Sequence, residues 1–277
     1  MPDRMILRDR TAVVTGAASG IGRAVAISLA RRGCPLALAD INEAQLSETA
    51  KLAASHGQNL RITCYALDVT DRKAVASFPF AVLAAHGRVD ILVNNAGVAL
   101  GGTFDQVGEV DFDWLFEINF WGVVRMTRAF LPHLRASDDA CIVNLSSLYG
   151  LIAPPGQTAY SASKFAVRGF SNSLRYELEG SNIGVTVVHP GGVATAIARN
   201  ARIPKGAMSA EEEQRRRAAA EQFLTMPPEL AGETIVRGIE RRKARILVGT
   251  DAKIISFLER LAPVSCWKIL TRFRPSI

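Results

Sequence analysis

The first two-thirds of the chain alternate short apolar runs with longer segments of helical periodicity. Six runs have the length of a strand: TAVVT (11–15), LALAD (36–40), RITCYA (61–66), VDILV (89–93), CIVNL (141–145) and VTVV (185–188). Runs that are apolar at nearly every position are typical of strands covered on both faces. The pattern therefore predicts an α/β fold with a parallel sheet, helices on both faces of the sheet, and right-handed crossovers.

The last third of the chain is less regular. Residues 196–226 contain EEEQRRR and few apolar anchors, so we expect a mobile substrate flap with a short charged helix. A helix at 229–242, a strand at 245–248 and a helix at 251–262 follow. Because no stretch resembles a linker, we expect one domain over 1–277, a doubly wound three-layer sandwich with about seven strands.

One helical segment carries a proline in its interior. In DRKAVASFPFAVLAAHG (71–87), Pro79 lacks an amide donor. The ring of an interior proline also clashes with the preceding turn of a helix. We therefore expect a kink or a break near residues 77–79.

Composition narrows the class of protein. Apolar residues make up 48% of the 277 residues, which is ample for a large core. No window reaches the roughly 18 consecutive apolar residues of a membrane-spanning helix, and the N-terminus does not resemble a signal peptide. The four cysteines and four histidines are not spaced as metal ligands. We therefore expect no metal site and a reducing, cytoplasmic location.

A glycine-rich turn, TGAASGIG (15–22), joins the first apolar run to the first helical segment. Gly16 and Gly20 allow a ligand to approach the backbone closely, and Ser19 and Ile21 lie where the free amides of a helix N-terminus bind anions. The turn predicts the pyrophosphate site of a Rossmann-type sheet. An ordinary strand–helix turn is the alternative, because the glycine spacing is G-x-x-x-G-x-G.

Asp40 ends the second apolar run, about 20 residues beyond the glycine-rich turn. A carboxylate at this place accepts hydrogen bonds from the adenosine ribose 2′-OH and repels a 2′-phosphate. No lysine or arginine occurs at positions 17–19 or 41 to neutralise such a phosphate. We therefore expect NAD, with NADP less favoured. The alternative is that Asp40 only caps the following helix.

Tyr160 and Lys164 lie four residues apart in a segment of helical periodicity, so they share a helix face. A phenol has a pKa of about 10 in water, and a general base at neutral pH requires a pKa roughly three units lower, a difference of about 4 kcal/mol. One ammonium about 4 Å away supplies about 4 kcal/mol at an effective dielectric of about 20. The pair therefore predicts an acid/base site in which Lys164 lowers the pKa of Tyr160.

The motifs occur in a characteristic order along the chain: TGAASGIG, Asp40, Asp68-Val69, NNAG (94–97), Asn119, Ser147, YSASK (160–164) and HPGGVAT (189–195). Together they resemble the short-chain dehydrogenase/reductase (SDR) family over residues 8–195, and more weakly as far as residue 262. The resemblance implies an NAD(P)-dependent oxidoreductase that interconverts a secondary alcohol and a ketone by hydride transfer.

The resemblance also implies catalytic roles. Tyr160 is the general acid/base that takes the hydroxyl proton, and Lys164 lowers its pKa and holds the nicotinamide ribose. Ser147 hydrogen-bonds the substrate oxygen, and Asn119 orders a water that relays the proton outward. Strand alternation shows only that Ser146 and Ser147 point to opposite sides, so the choice of Ser147 rests on the resemblance.

The cofactor contacts implied by the resemblance lie along four loops. The side chain of Asp68 and the backbone of Val69 contact adenine. The ribose side is supported by Asn94, Asn95, Ala96 and Gly97, and the nicotinamide side by Pro190, Gly191, Val193 and Thr195. The alternatives are that Asn94 and Asn95 satisfy buried strand ends, that Asn119 is an ordinary helix polar residue, and that Thr195 caps the flap helix. Gly192 is expected to loosen the turn over the nicotinamide.

The net charge of +7 arises in the C-terminal part, since residues 199–277 hold 16 Lys/Arg against 9 Asp/Glu. Apolar residues in the tail at 252–277 form two helical stripes, Ile254, Leu258 and Leu261, and then Cys266, Ile269, Leu270 and Phe273. Such a tail either packs on the body or a neighbouring subunit, which we favour, or makes peripheral contact with an anionic membrane. No nucleic-acid recognition motif accompanies the charge, so we expect no nucleic-acid partner.

The expected substrate is a lipophilic alcohol or ketone, because the candidate pocket residues are mostly apolar: Leu100, Leu148, Tyr149, Pro154, Ala196 and Ile197. We expect a homodimer or homotetramer that pairs through helices at 112–135 and 157–179, as family members commonly do. Two alternatives remain for the function. One is an NADPH-linked carbonyl reductase, and the other is a catalytically idle protein that binds or senses NAD.

Overall fold

In the part of the chain that the structure describes, seven parallel strands form one sheet, as the apolar runs predict. The structure is a computed structural model that describes residues 4–56, 60–204 and 209–272. The strands are β1 (Ala12–Thr15), β2 (Leu36–Asp40), β3 (Ile62–Ala66), β4 (Ile91–Asn94), β5 (Ala140–Leu145), β6 (Ile183–Pro190) and β7 (Arg245–Val248). Their order is β3-β2-β1-β4-β5-β6-β7. The order reverses between β1 and β4, so the loops after these strands lie beside the crevice where such sheets bind ligands.

Helices cover both faces of the sheet and complete the three layers. They are α1 (Gly20–Ala30), α2 (Glu43–Ala54), α3 (Arg72–His86), α4 (Glu109–Phe116), α5 (Gly122–Arg135), α6 (Thr158–Glu177), α7 (Ala210–Phe223), α8 (Pro228–Glu240), α9 (Thr250–Leu261) and α10 (Cys266–Arg272). Side chains of α1, α2 and α8 join one core, and those of α3, α5 and α6 join the other. The prediction of a doubly wound three-layer sandwich is confirmed.

Each strand contributes to both cores, which explains why the runs are apolar at nearly every position. Successive side chains of a strand point to opposite faces. Val14 packs with Ile235 of α8 on one face, whereas the adjacent Val13 belongs to the cluster of Phe130 of α5 on the other. All four side chains are fully buried. Each such side chain contributes ~1.5–3 kcal/mol through burial, so a sheet covered on both faces is strongly favoured.

Of the predicted kink or break near Pro79, the break does not occur, because α3 runs without interruption from Arg72 to His86. A kink stays a prediction. Three apolar side chains of this helix, those of Val75, Phe78 and Val82, are buried in the core. Their burial contributes ~1.5–3 kcal/mol each, which exceeds the ~3 kcal/mol cost of an interior proline. Asp71 also caps the helix by accepting hydrogen bonds from the amides of Lys73 and Ala74. Tertiary packing thus overrides the local preference.

The C-terminal part has the predicted helices, with α7 as the charged flap helix. Positions 205–208 of the flap and 273–277 of the tail, including Phe273, lie outside the described residues. In α10, Cys266 is buried while Ile269 and Leu270 are half-buried. Ile254 and Leu261 of α9 are 60% and 68% exposed. Within the described residues, no helix combines the length and hydropathy needed to cross a membrane.

Candidate active site

The glycine-rich turn between β1 and α1 is tied to the loop that follows β4. The hydroxyl oxygen of Thr15 accepts hydrogen bonds from the amides of Asn95 and Ala96, both at 3.1 Å. The side-chain amide of Asn95 donates to the carbonyls of Thr15 and Gly16, at 2.9 and 3.0 Å. Gly16 has a φ of +63°, which favours glycine. Asn95 therefore holds together the two loops that flank the crevice.

The N-terminus of α1 opens toward this crevice. Ser19 is the N-cap residue, yet its side chain makes no capping hydrogen bond. Gly20 has a φ of +54°, and a Cβ built on it would lie 3.1 Å from the Thr195 methyl group. Ile21 and Thr195 both line the main cavity. A helix N-terminus with an unused hydroxyl and a glycine facing the opposite loop fits a diphosphate.

Asp40 supports the glycine-rich turn directly. Its carboxylate accepts a hydrogen bond from the amide of Ala18 at 3.0 Å and another from the amide of Asn42 at 3.0 Å. The residue that caps α2 is Asn42, which accepts from the amide of Gln45. The alternative that Asp40 merely caps the following helix is therefore wrong. Its carboxylate lies at the end of β2, beside the turn.

Arg23 is a cation close to this turn that the sequence analysis missed. Its Nε donates to the Ala18 carbonyl at 3.0 Å, and its guanidinium pairs with Glu48 at 3.1 Å. Arg23 is not adjacent to the turn in sequence, but one helical turn of α1 brings it back to Ala18. The guanidinium is engaged by Glu48 and by a carbonyl, so its charge is partly compensated.

Asp68 and Val69 follow the carboxyl end of β3, next to Asp40. The amide of Leu67 donates to the Asp40 carbonyl at 3.0 Å, which continues the pairing of β2 and β3 past their ends. The side chain of Asp68 is exposed and accepts from the amide of Thr70 at 2.8 Å. The side chain of Val69 is buried. Both residues thus lie at the same sheet edge as Asp40, where the resemblance places the adenine.

Tyr160, Lys164 and Ser147 meet at the wall of one cavity. Tyr160 and Lys164 lie on one face of α6, and the Lys164 Nζ is 5.7 Å from the Tyr160 ring centroid. The ammonium donates to the Leu145 carbonyl at 3.2 Å. The Ser147 side chain forms a hydrogen bond with that of Tyr160. The three predicted catalytic groups are therefore neighbours in space.

The pKa of Tyr160 moves in the direction opposite to the prediction. Burial of the phenol raises its pKa to about 12, while the hydrogen bond with Ser147 lowers it and the neighbouring Tyr149 raises it. Burial also lowers the pKa of Lys164 to about 8. Burial dominates because desolvation penalises the phenolate, and the Lys164 ammonium donates to the Leu145 carbonyl. A lowering contribution from the Lys164 charge stays a prediction.

The structure distinguishes the two adjacent serines, which strand alternation could not. The Ser146 hydroxyl is buried and donates to the Lys164 carbonyl at 2.9 Å, so it ties β5 to α6. The Ser147 hydroxyl accepts from the amide of Tyr149 at 3.1 Å and contacts Tyr160. Ser147 therefore presents its hydroxyl to that of Tyr160, and Ser146 has a structural role.

His189 fixes the backbone of Ser147 and was not singled out from the sequence. Its ring is fully buried, and Nδ1 lies 2.8 Å from the Ser147 carbonyl oxygen. Burial lowers the pKa of His189 to about 4, so the ring is neutral at pH 7 and Nδ1 donates. The place of His189 in HPGGVAT, one residue before the predicted nicotinamide loop, was the available signal.

Asn119 lies in a π-helical turn, Glu117–Trp121, between α4 and α5. Its side-chain oxygen accepts from the amide of Val98 at 2.9 Å, and its side-chain nitrogen donates to the Val98 carbonyl at 3.0 Å and to Ser163 at 3.2 Å. A Cβ built on Gly97 would lie 3.1 Å from this oxygen and 3.3 Å from the Lys164 Nζ. The amide thus holds the loop beside Lys164, and water ordering by Asn119 stays a prediction.

Asn94 has the structural role that was considered as the alternative. It is buried, and its amide nitrogen donates to Thr127 at 3.1 Å and to Asn144 at 2.8 Å. Asn144 in turn donates to Ser171 at 2.9 Å. This chain of buried polar groups connects α5, β4, β5 and α6. It stabilises the scaffold under the site without facing the cavity.

The segment HPGGVAT leads from β6 into the flap and lines the cavity through Pro190, Gly191, Val193 and Thr195. Gly192 does not loosen this turn, contrary to expectation. Its amide donates to the Asp251 carboxylate at 2.7 Å, and its carbonyl accepts from the amide of Met226 at 3.0 Å. A Cβ at this position would overlap the Phe223 carbonyl, so the close backbone approach requires glycine. The flap helix is capped by Ser209, so Thr195 does not cap it.

The cavity has a volume of about 390 Å³ and continues from the cofactor loops to an apolar compartment. Four of the six predicted pocket residues line it, namely Leu100, Leu148, Tyr149 and Ile197. In place of Pro154 and Ala196, the lining includes Pro155, Ala198, Ala201, Ile203, Phe223 and Leu224. Gln157 adds an uncharged polar side chain to this compartment. Ser147 and Tyr160 line the same cavity.

Arg202 fastens the flap over the apolar compartment. Its amide donates to the Ala99 carbonyl at 2.9 Å, and its carbonyl accepts from the amide of Gly101 at 3.0 Å. Its guanidinium pairs with Asp111 at 2.8 Å and lies 3.7 Å from the Trp114 ring centroid. A cation over an indole adds ~0.5–2 kcal/mol. The flap is therefore held to the body by both backbone and side chain.

Comparisons with known proteins agree with this geometry. The family model described as short chain dehydrogenase matches residues 10–205. The putative oxidoreductase SadH of Mycobacterium tuberculosis is 44% identical over 255 residues, 91% of this chain and 90% of that protein. A short chain dehydrogenase/reductase from Burkholderia phymatum, solved with NAD, superposes with a TM-score of 0.84 at 28% identity, covering 99% of this chain and 98% of that one. A metagenomic short-chain oxidoreductase solved with NADP gives 0.70 at 28%, covering 88% and 98%.

Proposed function

The chain belongs to the short-chain dehydrogenase/reductase family of oxidoreductases, and on that premise we propose that it interconverts an apolar secondary alcohol and a ketone with NAD. The observation that carries the proposal is the meeting of Ser147, Tyr160 and Lys164 at the junction of the cofactor loops and an apolar compartment. An idle dinucleotide-binding protein requires none of these three groups. Membership of the family makes the chain an oxidoreductase, and the three site residues support the proposed interconversion of an alcohol and a ketone.

The residues at the junction divide the chemistry between them. When bound, the oxidised dinucleotide would supply a hydride acceptor and a positive charge, and the reduced dinucleotide would supply the hydride for ketone reduction. In ketone reduction, Tyr160 with its pKa of about 12 is protonated at pH 7 and donates its proton to the carbonyl oxygen. In alcohol oxidation, the phenolate form of Tyr160 accepts the hydroxyl proton, and the carbinol hydrogen leaves as hydride to the dinucleotide. Ser147 donates a hydrogen bond to the substrate oxygen in both directions.

Lys164 is suited to pass protons to and from this site. Its pKa of about 8 lies close to neutral pH, so it exchanges a proton at little cost. Its Nζ lies near Gly97 and the Leu145 carbonyl, on the cofactor side of Tyr160. We infer that Lys164 holds the nicotinamide ribose and that its charge, together with that of the bound nicotinamide, offsets the cost of forming the buried phenolate in the oxidative direction.

The preference for NAD over NADP rests on Asp40. Its carboxylate lies at the end of β2 and accepts two backbone hydrogen bonds that direct it toward the glycine-rich turn. A ribose 2′-OH donates to such a carboxylate, whereas a 2′-phosphate is repelled by it. Arg23, the nearby cation, is paired with Glu48. An NADPH-linked reductase is the alternative, since relatives of this fold have been solved with either dinucleotide.

An apolar, uncharged substrate fits the compartment opposite Tyr160. Its walls are formed mainly by aliphatic and aromatic side chains, and an ionised substrate group would lose hydration there without a counter-charge. Gln157 lies three residues before Tyr160, and it lines the same cavity. We infer that this amide binds a second, neutral polar group of the substrate, some distance from the reacting oxygen.

A panel of secondary alcohols tests the substrate class. With NAD, we expect the specificity constant for 2-alkanols to rise about fourfold for each added methylene until the compartment is filled, because a buried methylene contributes ~0.8 kcal/mol. Hydroxy acids of matched length, which carry a carboxylate, are expected to react at least about tenfold more slowly. The measurement is the appearance of NADH absorbance. A preference for the charged series would contradict an apolar site.

The oligomeric and membrane predictions stay proposals with structural support. Gly169 of α6 has open space around it, and Ala162 and Ser173 on the same helix are exposed, so this face accepts close helix packing. We expect a dimer or tetramer by sedimentation velocity at micromolar concentration, and a monomer would contradict this.

Peripheral membrane contact through the exposed Ile254 and Leu261 remains a prediction, as does a cytoplasmic location.

A further inference from the structure

Asp251, in the first turn of α9, reaches across to the loop at the predicted nicotinamide end of the cavity. Its Oδ2 accepts a hydrogen bond from the amide of Gly192 at 2.7 Å. Asp251 and Gly192 are far apart in sequence, and Asp251 belongs to the part of the chain beyond the matched family region, which ends at residue 205. No motif considered in the sequence points to it. The contact therefore connects the C-terminal part with the site.

Three glycines lie around the Asp251 carboxylate, at positions where a larger residue would not fit. A Cβ built on Gly191 or on Gly249 would overlap the oxygens of Asp251. Gly192, which donates to the carboxylate, has no room for a Cβ on its other side, where it meets the Phe223 carbonyl. Gly249 has a φ of +102°, a conformation that side chains rarely adopt. Gly191 and Gly249 thus stand where a side chain would displace the carboxylate, and Gly192 stands where a side chain would displace the loop from Phe223.

The loop that receives this contact lies next to the reacting groups. Pro190, Gly191, Val193 and Thr195 line the same cavity as Tyr160 and Lys164. Its other ties are backbone hydrogen bonds: the amide of Gly191 donates to the Val248 carbonyl at 2.9 Å, and Met226 pairs with it on the flap side. Asp251 adds a charged side chain to these ties, since its carboxylate accepts the hydrogen bond from the Gly192 amide.

We propose that Asp251 is a positioning residue that fixes the Pro190–Thr195 loop for binding the nicotinamide half of the dinucleotide. The proposal rests on the proposed function, because it assigns the loop to the nicotinamide. An acidic residue in the first turn of a helix also interacts favourably with the helix dipole. If Asp251 only stabilised α9 through the helix dipole, its loss would not weaken binding of the nicotinamide half more than binding of the adenosine half. The positioning role and the helix-dipole role therefore predict different effects on ligands with and without a nicotinamide.

Binding of NADH and of ADP-ribose separates these roles, because ADP-ribose has the adenosine and diphosphate but lacks the nicotinamide. Asp251→Ala is expected to weaken NADH binding about tenfold, the effect of losing one charge-assisted hydrogen bond. ADP-ribose is expected to bind within about twofold of the unaltered protein. Asp251→Asn keeps an acceptor oxygen and is expected to restore most of the NADH affinity. Dissociation constants are measured by calorimetry, beside the melting temperature of each variant.

Glu109→Ala is the matched control, since Glu109 is also an exposed acidic residue in the first turn of a helix. It is expected to leave both affinities unchanged. Should Asp251→Ala fail to fold, Asp251→Ser carries the same expectation, because its hydroxyl is too short to reach the Gly192 amide. Equal weakening of both ligands, or no weakening of NADH, overturns the positioning role. Failure of the unaltered protein to bind either ligand overturns the proposed function itself.

Discussion

Tyr160→Phe is expected to lower turnover of a secondary alcohol by about 10²–10⁴-fold, the usual contribution of a general acid/base group. The substitution removes one oxygen and leaves the aromatic ring, which packs at 6.0 Å from the Tyr149 ring in an edge-to-face arrangement. Ser147, the other hydroxyl proposed to contact the substrate oxygen, is too weak an acid to replace Tyr160 as the proton donor. NAD affinity is expected to change by less than about threefold, because the ring and Lys164 remain.

The measurement is a steady-state rate together with an NAD dissociation constant for each protein. Tyr149→Phe is the control, because it removes the neighbouring phenol oxygen in the same cavity. It is expected to retain turnover within about tenfold and to leave the acid/base chemistry in place. A rate for Tyr160→Phe close to that of the unaltered protein would show that another group carries the proton. A loss of equal size in both variants would point to packing instead of chemistry.

Asp40→Asn is expected to lower the preference for NAD over NADP by about 100-fold. Asparagine keeps an acceptor oxygen for the amide of Ala18 but has no charge, so the turn keeps its support. The change removes the repulsion between a carboxylate and the 2′-phosphate, which costs several kcal/mol at close range, and about 2.8 kcal/mol corresponds to 100-fold. We expect most of the change as a gain in NADP affinity, with a smaller loss for NAD.

Affinities for NAD and NADP are compared by titration in the unaltered protein, Asp40→Asn and Glu43→Gln. Glu43 is a matched control because it is an exposed carboxylate three residues further along, in the first turn of α2. Its loss is expected to leave the ratio of the two affinities within about twofold. Tighter binding of NADP than of NAD by the unaltered protein would contradict the role of Asp40 and favour an NADPH-linked reductase.

The sheet could be predicted from the chain because its strands are buried on both faces, which leaves an unambiguous run of apolar residues. Strand bounds were accurate at β2 and β7, whereas β6 extends from Ile183 to Pro190, beyond the predicted 185–188. The residues added there include the buried His189, which no apolar pattern marks. At Pro79, by contrast, local sequence alone was misleading. The helix continues through the proline because the burial of three apolar side chains on the same helix outweighs the cost of one interior proline.

The site could be predicted only as far as local spacing and ordered motifs extend. The pairing of Tyr160 with Lys164 follows from helical spacing, but the pKa of the phenol depends on its burial, which spacing does not describe. Arg202 and Asp251 contact segments that are distant in sequence, and Arg23 contacts a residue one helical turn away. Such contacts depend on the three-dimensional fold, so the sequence pattern does not predict them.

The transfer of a labelled hydrogen tests the central claim most directly. A reactive alcohol from the panel, carrying deuterium on its carbinol carbon, is incubated with NAD and the protein, and the mass of the NADH formed is measured. Hydride transfer predicts one deuterium in the dihydronicotinamide ring for each ketone formed. In Tyr160→Phe, the yields of deuterated NADH and of ketone are expected to fall by the same factor. Unlabelled NADH, or no NADH from any alcohol of the panel, would contradict it.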